Sequence, residues 1–253
     1  MQDLKVTLVQ TTLHWEHAPY NREHFGAILA SISPYSTDLI LLPEMFSTGF
    51  SMQPDLLAET MDGPTIQWMR QQAARLGAVL TGSLIIQEQG RYYNRLVWMR
   101  PDGSFAQYDK RHLFSLAGED RYYTAGQQRL IVELKGWRVC PLVCYDLRFP
   151  VWSRNRKEYD LLLYVANWPE RRNYAWKHLL IARAIENQCF VAAVNRIGLD
   201  GNQTAHSGDS ALIDPLGEVR YTQAHEPFAE TFTLSGQHLA EVRDKFRFLD
   251  DAD

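Results

Sequence analysis

Short apolar, β-branched runs alternate with longer stretches of helical period along nearly the whole chain, and this alternation restricts the fold more than any other feature. Runs of strand length separated by helical segments build βα units, or sheets covered by helices. The spacing predicts strands over residues 5–10, 38–42, 78–86, 94–100, 129–134, 137–144, 161–165, 190–195, 210–213, 218–221 and 229–234. It predicts helices over 21–31, 64–76 with Pro64 in the first turn, 150–156, 174–188 and 236–245. Near the C-terminus the rhythm changes to a hairpin, with Asp214-Pro-Leu-Gly217 as the turn between two strands, so the sheets are expected to be mixed. No repeat or Gly/Ser linker interrupts the series, and the expectation is one α/β domain spanning residues 1–253, with only the acidic tail 249–253 frayed.

Composition narrows the function classes. With 45% hydrophobic residues in 253, the chain can bury a substantial core. Its net charge of -4, with Lys and Arg scattered, offers no basic surface for phosphates, so nucleic acid is not expected as a partner. The first ten residues read as a strand rather than a signal peptide, and no apolar run approaches the roughly 18 residues of a membrane helix. Three cysteines, Cys140, Cys144 and Cys189, do not make a disulfide framework; free thiols in a reducing, cytoplasmic setting are expected.

Three polar residues stand just beyond apolar runs: Glu44 after Leu39-Ile-Leu-Leu-Pro, Lys110 in Tyr108-Asp-Lys-Arg-His-Leu-Phe114, and Cys144 closing Val139-Cys-Pro-Leu-Val. In layered α/β folds the loops at the carboxyl ends of strands line the ligand crevice, so the three can meet there. Their chemistry is complementary. A thiol attacks as thiolate; a nearby ammonium lowers its pKa and a carboxylate accepts its proton. Attack on an amide carbonyl creates an oxyanion that Lys110 and the backbone N–H of Tyr145 can stabilise, after which ammonia leaves with a proton from Glu44. The thioester then needs a water activated by the same carboxylate, and neither metal nor cofactor is required.

Each residue taken singly has a plainer reading. Cys144 can be a small core hydrophobe, Glu44 a helix-start or surface carboxylate, and Lys110 a solvated loop charge. A Cys–His pair through His112 or His206 is the less favoured alternative, because lysine and glutamate already supply activation. A Cys140–Cys144 redox pair would need thiols roughly 13 Å apart along an extended strand to approach. No metal-ligand spacing or phosphate loop occurs.

The pieces Leu41-Leu-Pro-Glu44-Met-Phe, Tyr108-Asp-Lys110-Arg-His-Leu-Phe, Leu142-Val-Cys144-Tyr-Asp-Leu-Arg-Phe-Pro150 and Ala182-Arg-Ala-Ile-Glu-Asn-Gln188, in this order, resemble the nitrilase superfamily from about residue 5 to residue 234. The Cys-Tyr-Asp-x-Arg-Phe piece and Ala166-Asn-Trp-Pro169 resemble its omega-amidase branch, whose members hydrolyse the terminal amide of 2-oxoglutaramate. The resemblance implies a four-layer α-β-β-α sandwich with two mixed sheets, pairing into homodimers or larger assemblies. It places Glu44, Lys110 and Cys144 on the family's catalytic positions and Glu119 on that of the second glutamate, which orients the lysine.

A 2-oxo acid carries a carboxylate, so a cation must face it. Arg148, Arg171, Arg172 and Arg196 are candidates, Trp168 can wall the acyl pocket, and Asp146 with Arg148 is expected to pair and hold the turn after Cys144. The stripe of Trp176, Leu179, Leu180, Arg183, Ala184 and Asn187 reads as core or subunit interface. Two other functions stay open here: another carbon–nitrogen hydrolase, cleaving an N-carbamoyl group or a nitrile, and a non-catalytic scaffold of the same fold.

Overall fold

A computed structural model of the protein describes residues 1–251. Its strands are β1 Leu4–Gln10, β2 Leu39–Leu41, β3 Val79–Glu88, β4 Arg91–Met99, β5 Phe105–Asp109, β6 Val132–Leu134, β7 Trp137–Val143, β8 Leu161–Ala166, β9 Phe190–Asn195, β10 Ile197–Leu199, β11 Ala205–Ile213, β12 Val219–Ala224 and β13 Phe228–Leu234. The helices are α1 Ala18–Ala30, α2 Pro54–Leu57, α3 Pro64–Leu76, α4 Glu119–Tyr122, α5 Pro150–Ser153, α6 Asn173–Asn187 and α7 Gly236–Lys245.

Two mixed sheets result, as expected. The first runs β13-β1-β2-β3-β4-β5, with β1, β2 and β3 parallel and antiparallel strands on either side. The second has a parallel centre of β7, β8 and β9 flanked by antiparallel β6 and β11, and β11 pairs in turn with β10 and β12.

Side chains of a strand point alternately to its two faces, and here both faces are covered. Val6, Leu8, Leu39, Leu41, Leu96 and Trp98 enter the core between the sheets, against Val139 of β7. Their neighbours Val9, Ile40, Leu42 and Val97 face the other way, onto Phe25 and Leu29 of α1 and Ile66, Met69 and Ala73 of α3. That is why β2 reads as one unbroken apolar run. On the far side of the second sheet α6 buries Trp176, Leu180 and Ala184, completing the α-β-β-α sandwich. The stripe along α6 is therefore core, with Leu179 packed at its margin.

Several boundaries differ from the sequence reading, each for a local reason. Helix α1 begins three residues earlier than expected, where the His17 ring accepts the Tyr20 N–H and Pro19 fits the first turn. The expected helix 150–156 stops at Ser153, because Arg154 is extended and the Asn155 N–H is taken by Asn187 Oδ1 at 2.8 Å. Strand β5, too weakly apolar to read, is an edge strand whose Phe105 and Gln107 are exposed while Tyr108 is buried. Strand β10 also escaped the pattern, being three residues long. The tail is partly anchored: Leu249 is buried and its N–H donates to Gln188 Oε1, and Asp250 pairs with Lys157. Residues 252–253 of that expected fray lie outside the described residues.

Candidate active site

The carboxyl ends of strands from both sheets converge. Glu44 follows β2 and Lys110 follows β5 of the first sheet; Cys144 follows β7 and Asn167 follows β8 of the second. Backbone hydrogen bonds hold the loops to their sheets, Leu42 N–H donating to Thr81 and Lys110 N–H to the Asn94 carbonyl at 3.0 Å. Glu119, the first residue of α4, completes the group.

The convergence is dry and tightly bonded. Glu44, Lys110 and Glu119 are all at most 1% exposed. Lys110 Nζ donates to Glu44 Oε1 at 2.9 Å and to Glu119 Oε1 and Oε2 at 3.0 and 2.9 Å. Glu44 Oε2 accepts the Asn167 N–H at 2.9 Å, and the Asn167 side-chain amide donates to the Glu44 carbonyl. Glu119 Oε2 accepts the Phe114 N–H at 2.6 Å. Glu119 is thus the second carboxylate on the ammonium.

Cys144 sits at φ +44°, the left-handed region that non-glycine residues rarely adopt and that concentrates at functional turns. It opens a one-turn 3-10 segment, Cys144–Arg148, so the N–H of Tyr145 falls in the first turn, where no intrahelical carbonyl can take it. The Tyr145 ring packs between Phe114 and Phe149.

The turn is held differently from the expectation. Asp146 does not pair with Arg148. Its carboxylate accepts from Tyr108 Oη at 2.7 Å and from the N–H groups of Val143 and His112, and it contacts the His112 ring at 2.8 Å. Burial at 0% exposure explains the choice: the fixed donors of β5, β7 and the following loop reach Asp146 where it lies, whereas Arg148 is exposed. Arg148 instead stands over the Trp168 ring, 5.0 Å from its centroid.

Electrostatics refine the expected chemistry. Burial opposes charge on Lys110, but Glu119 and then Glu44 outweigh it and hold the ammonium protonated well above its ordinary range. For Cys144, burial first and then the Glu44 carboxylate push the thiol up, overriding the pull of Lys110. The expected lowering of the thiol pKa by Lys110 is therefore corrected: burial and Glu44 outweigh the lysine, and the net shift favours the thiol over the thiolate. Burial also raises the Glu119 carboxyl, against the pull of Lys110.

Glu44, Lys110 and Cys144 line a cavity of about 410 Å³, together with Phe50, Trp168, Arg148, Arg171 and Arg172. Trp168 does wall it, fixed by its N–H to Asn195 Oδ1 and its Nε1 to the Arg172 carbonyl. Arg172 lies over the Phe114 ring; burial, then the nearby Arg171 and Arg148, lower its pKa, the mark of cations crowded on one wall. Arg196 is not on that wall. It is fully buried and donates to the carbonyls of Ile197 and Leu199.

Neither histidine forms the alternative Cys–His pair. His112 is committed to Asp146 and stacks on Phe149, and the groups acting on Cys144 are Glu44 and Lys110. His206 lines the cavity with its Nδ1 on the Thr204 carbonyl, and burial followed by Arg196 lowers its pKa to about 4. Among the described residues no cluster of three His, Cys, Asp or Glu side chains is arranged to hold a metal.

Two residues bonded into this cluster do not stand out in the sequence. Asn167 lies inside Ala166-Asn-Trp-Pro169, beside the tryptophan that gives the segment its signal. Asn94, within β4, donates from one Nδ2 to Glu44 Oε1 at 2.8 Å and Glu119 Oε1 at 3.0 Å. The signal for it was a polar pair, Asn94-Arg95, opening an otherwise apolar run.

The carbon-nitrogen hydrolase family model matches residues 5–233. Over its full length the chain is 47% identical to omega-amidase YafV of Escherichia coli K12, covering 98% of that protein. It is 37% identical to the 2-oxoglutaramate amidase of Bacillus subtilis, over 85% of this chain and 84% of that one. Among solved structures, XC1258 of Xanthomonas campestris, a CN-hydrolase superfamily protein carrying an arsenic adduct in its active site, superposes with a TM-score of 0.98. It is 50% identical, covering 100% of this chain and 98% of its own.

Proposed function

The chain belongs to the carbon–nitrogen hydrolase family, and we propose that Cys144, Glu44, Lys110 and Glu119 carry its reaction as an omega-amidase. It is a hydrolase acting on the C–N bonds of linear amides, and its activity is release of ammonia from the terminal amide of a 2-oxo acid such as 2-oxoglutaramate or 2-oxosuccinamate. The observation that supports the residue assignment is one ammonium, Lys110, bonded to two buried carboxylates beside a thiol at the floor of a single cavity.

Glu44 takes the Cys144 proton as the sulfur attacks the amide carbon, so the thiolate forms only in the attack. The oxyanion receives the Lys110 ammonium and the Tyr145 N–H; collapse expels ammonia, protonated from Glu44, and leaves a thioester. Glu44, again a carboxylate, deprotonates water, which cleaves the thioester and restores the thiol. Glu119 keeps Lys110 charged and aimed. Trp168 forms the acyl wall.

The arginine wall receives the substrate carboxylate, with Arg172 the foremost anchor because it is half-buried on Phe114 and Arg148 beside it over Trp168. A charge-assisted hydrogen bond contributes roughly 1.5–3 kcal/mol, so Arg172→Ala is expected to raise KM for 2-oxoglutaramate about 10- to 100-fold with a smaller change in kcat. An unchanged KM would move the anchor to Arg148 or Arg171. The reading as a whole is tested by ammonia release from 2-oxoglutaramate, 2-oxosuccinamate, glutamine, N-carbamoyl amino acids and simple nitriles. Preference for a carbamoyl compound or a nitrile would overturn it.

We further propose a homo-oligomer, supported by exposed Val151 on α5 and Tyr174 and Ile185 on α6; light scattering that gives a monomer mass would refute this. No described helix is long and apolar enough to cross a membrane. Three unpaired, buried cysteines support a cytoplasmic site of action, which cell fractionation checks.

A further inference from the structure

The mechanism asks one carboxylate to accept and return a proton twice in each cycle while an equally buried carboxylate sits on the same lysine. Two acids face one ammonium, so the cluster holds an excess negative charge, and a proton that settled on Glu119 would be lost to the reaction. Something must divide the two roles.

Asn94 is placed to do so. It belongs to β4, opposite Ile85 of β3, with 1% exposure, and its backbone carbonyl holds the Lys110 N–H. Both groups facing its side-chain amide are carboxylates, so the donating NH₂ must point at them; the flipped amide would set oxygen against oxygen. Its Nδ2 reaches Oε1 of Glu44 and Oε1 of Glu119, the same two oxygens that Lys110 Nζ engages. On Glu119 the remaining oxygen is also occupied, by Lys110 Nζ and the Phe114 N–H. On Glu44 the remaining oxygen, Oε2, has only the Asn167 N–H. Glu44 Oε2 is thus the least encumbered carboxylate oxygen in the cluster.

We propose that Asn94 is a positioning residue which, by bridging the two carboxylates, saturates Glu119 and Glu44 Oε1 and confines the shuttled proton to Glu44 Oε2. This rests on the amidase reading above. The charged and titratable groups around the bridge are Lys110 after β5, Cys144 after β7 and Tyr123 after α4, whose hydroxyl feels Glu119, Lys110 and Glu44. Asn94 adds to them a neutral donor that favours both carboxylates as anions.

The test compares Asn94→Ala, which deletes the donor, with the isosteric Asn94→Asp, which keeps the packing and replaces the donor by a third acid. Two profiles are measured against pH: kcat and KM for ammonia release, and the rate of Cys144 alkylation by iodoacetamide with Cys144→Ala as the blank. The other two cysteines are fully buried, so alkylation reports Cys144. Both variants are expected to lose about 10- to 100-fold in kcat with little change in KM. The acidic limb of both profiles is expected to move up by about one to two pH units, further for Asn94→Asp. Limbs that stay in place while kcat falls in step with melting temperature would make Asn94 a structural residue and overturn the proposal. If Asn94→Ala does not fold, Asn94→Asp alone decides. A wild-type enzyme that releases no ammonia from 2-oxoglutaramate would defeat the substrate reading only, since the alkylation profile still judges Asn94.

Discussion

Cys144→Ala is expected to abolish ammonia release, by on the order of 10⁴-fold or more, while leaving the melting temperature within a few degrees of the parent. The side chain is small and lies on the cavity floor at 8% exposure, so its loss opens little new space in the core. No other thiol can take over. Cys140 is fully buried within β7 and burial pushes its thiol up to about 12; Cys189 is equally buried and is raised as well. Ammonia release and melting measured on the same preparation decide the matter, and undiminished turnover would remove Cys144 as nucleophile.

The second large effect is expected at Lys110, and it has two parts. Removing an oxyanion donor costs about 10²- to 10³-fold in kcat. Lys110→Ala also leaves Glu44 and Glu119 buried without their cation, and breaking a buried pair in this way costs roughly 3–5 kcal/mol of stability. The two parts separate by pH. Burial already raises Glu119 above the ordinary carboxyl value of 4.5, and without the lysine that rise grows. A carboxyl whose folded pKa is raised contributes most below its unfolded pKa, and its contribution is lost as pH rises through the folded value. The variant is therefore expected to lose least stability near pH 4 and most at neutral pH and above, whereas the deficit in turnover remains at every pH. A near-normal rate would return Lys110 to a purely structural role, and a stability deficit that does not depend on pH would overturn the broken buried pair as its cause.

Much of this site was legible because its principal residues follow recognisable runs. Glu44 and Cys144 each follow a buried parallel strand, and the unbroken apolar runs of β2 and β7 that mark those strands end at the crevice. Helix α3 was readable to the residue, since Pro64 starts it and Gly77, at φ +63°, ends it in the left-handed conformation glycine favours. Lys110 was harder: its strand, β5, is an edge with one face in water, and edge strands lack the apolar signal of central ones. Asn94 and the partners of Asp146 were not legible for a different reason. A hydrogen bond from Asn94 to Glu44 spans fifty positions and one from Tyr108 to Asp146 spans thirty-eight, and neither leaves a periodic trace. The Asp146–Arg148 pair does not form for the same reason: donors distant in the chain, Tyr108 and His112, reach Asp146 in space. The sign of the Cys144 shift likewise depended on burial, which no spacing reports.

The site draws Glu44 and Lys110 from one sheet and Cys144 and Asn167 from the other. Neither sheet alone holds both the proposed base and the proposed nucleophile, so a chain with only one sheet formed lacks one of the two. Activity then becomes a proximity sensor for the docking of two sheets. During refolding it is expected to return only with the burial of Trp98 and Trp137 in their shared core.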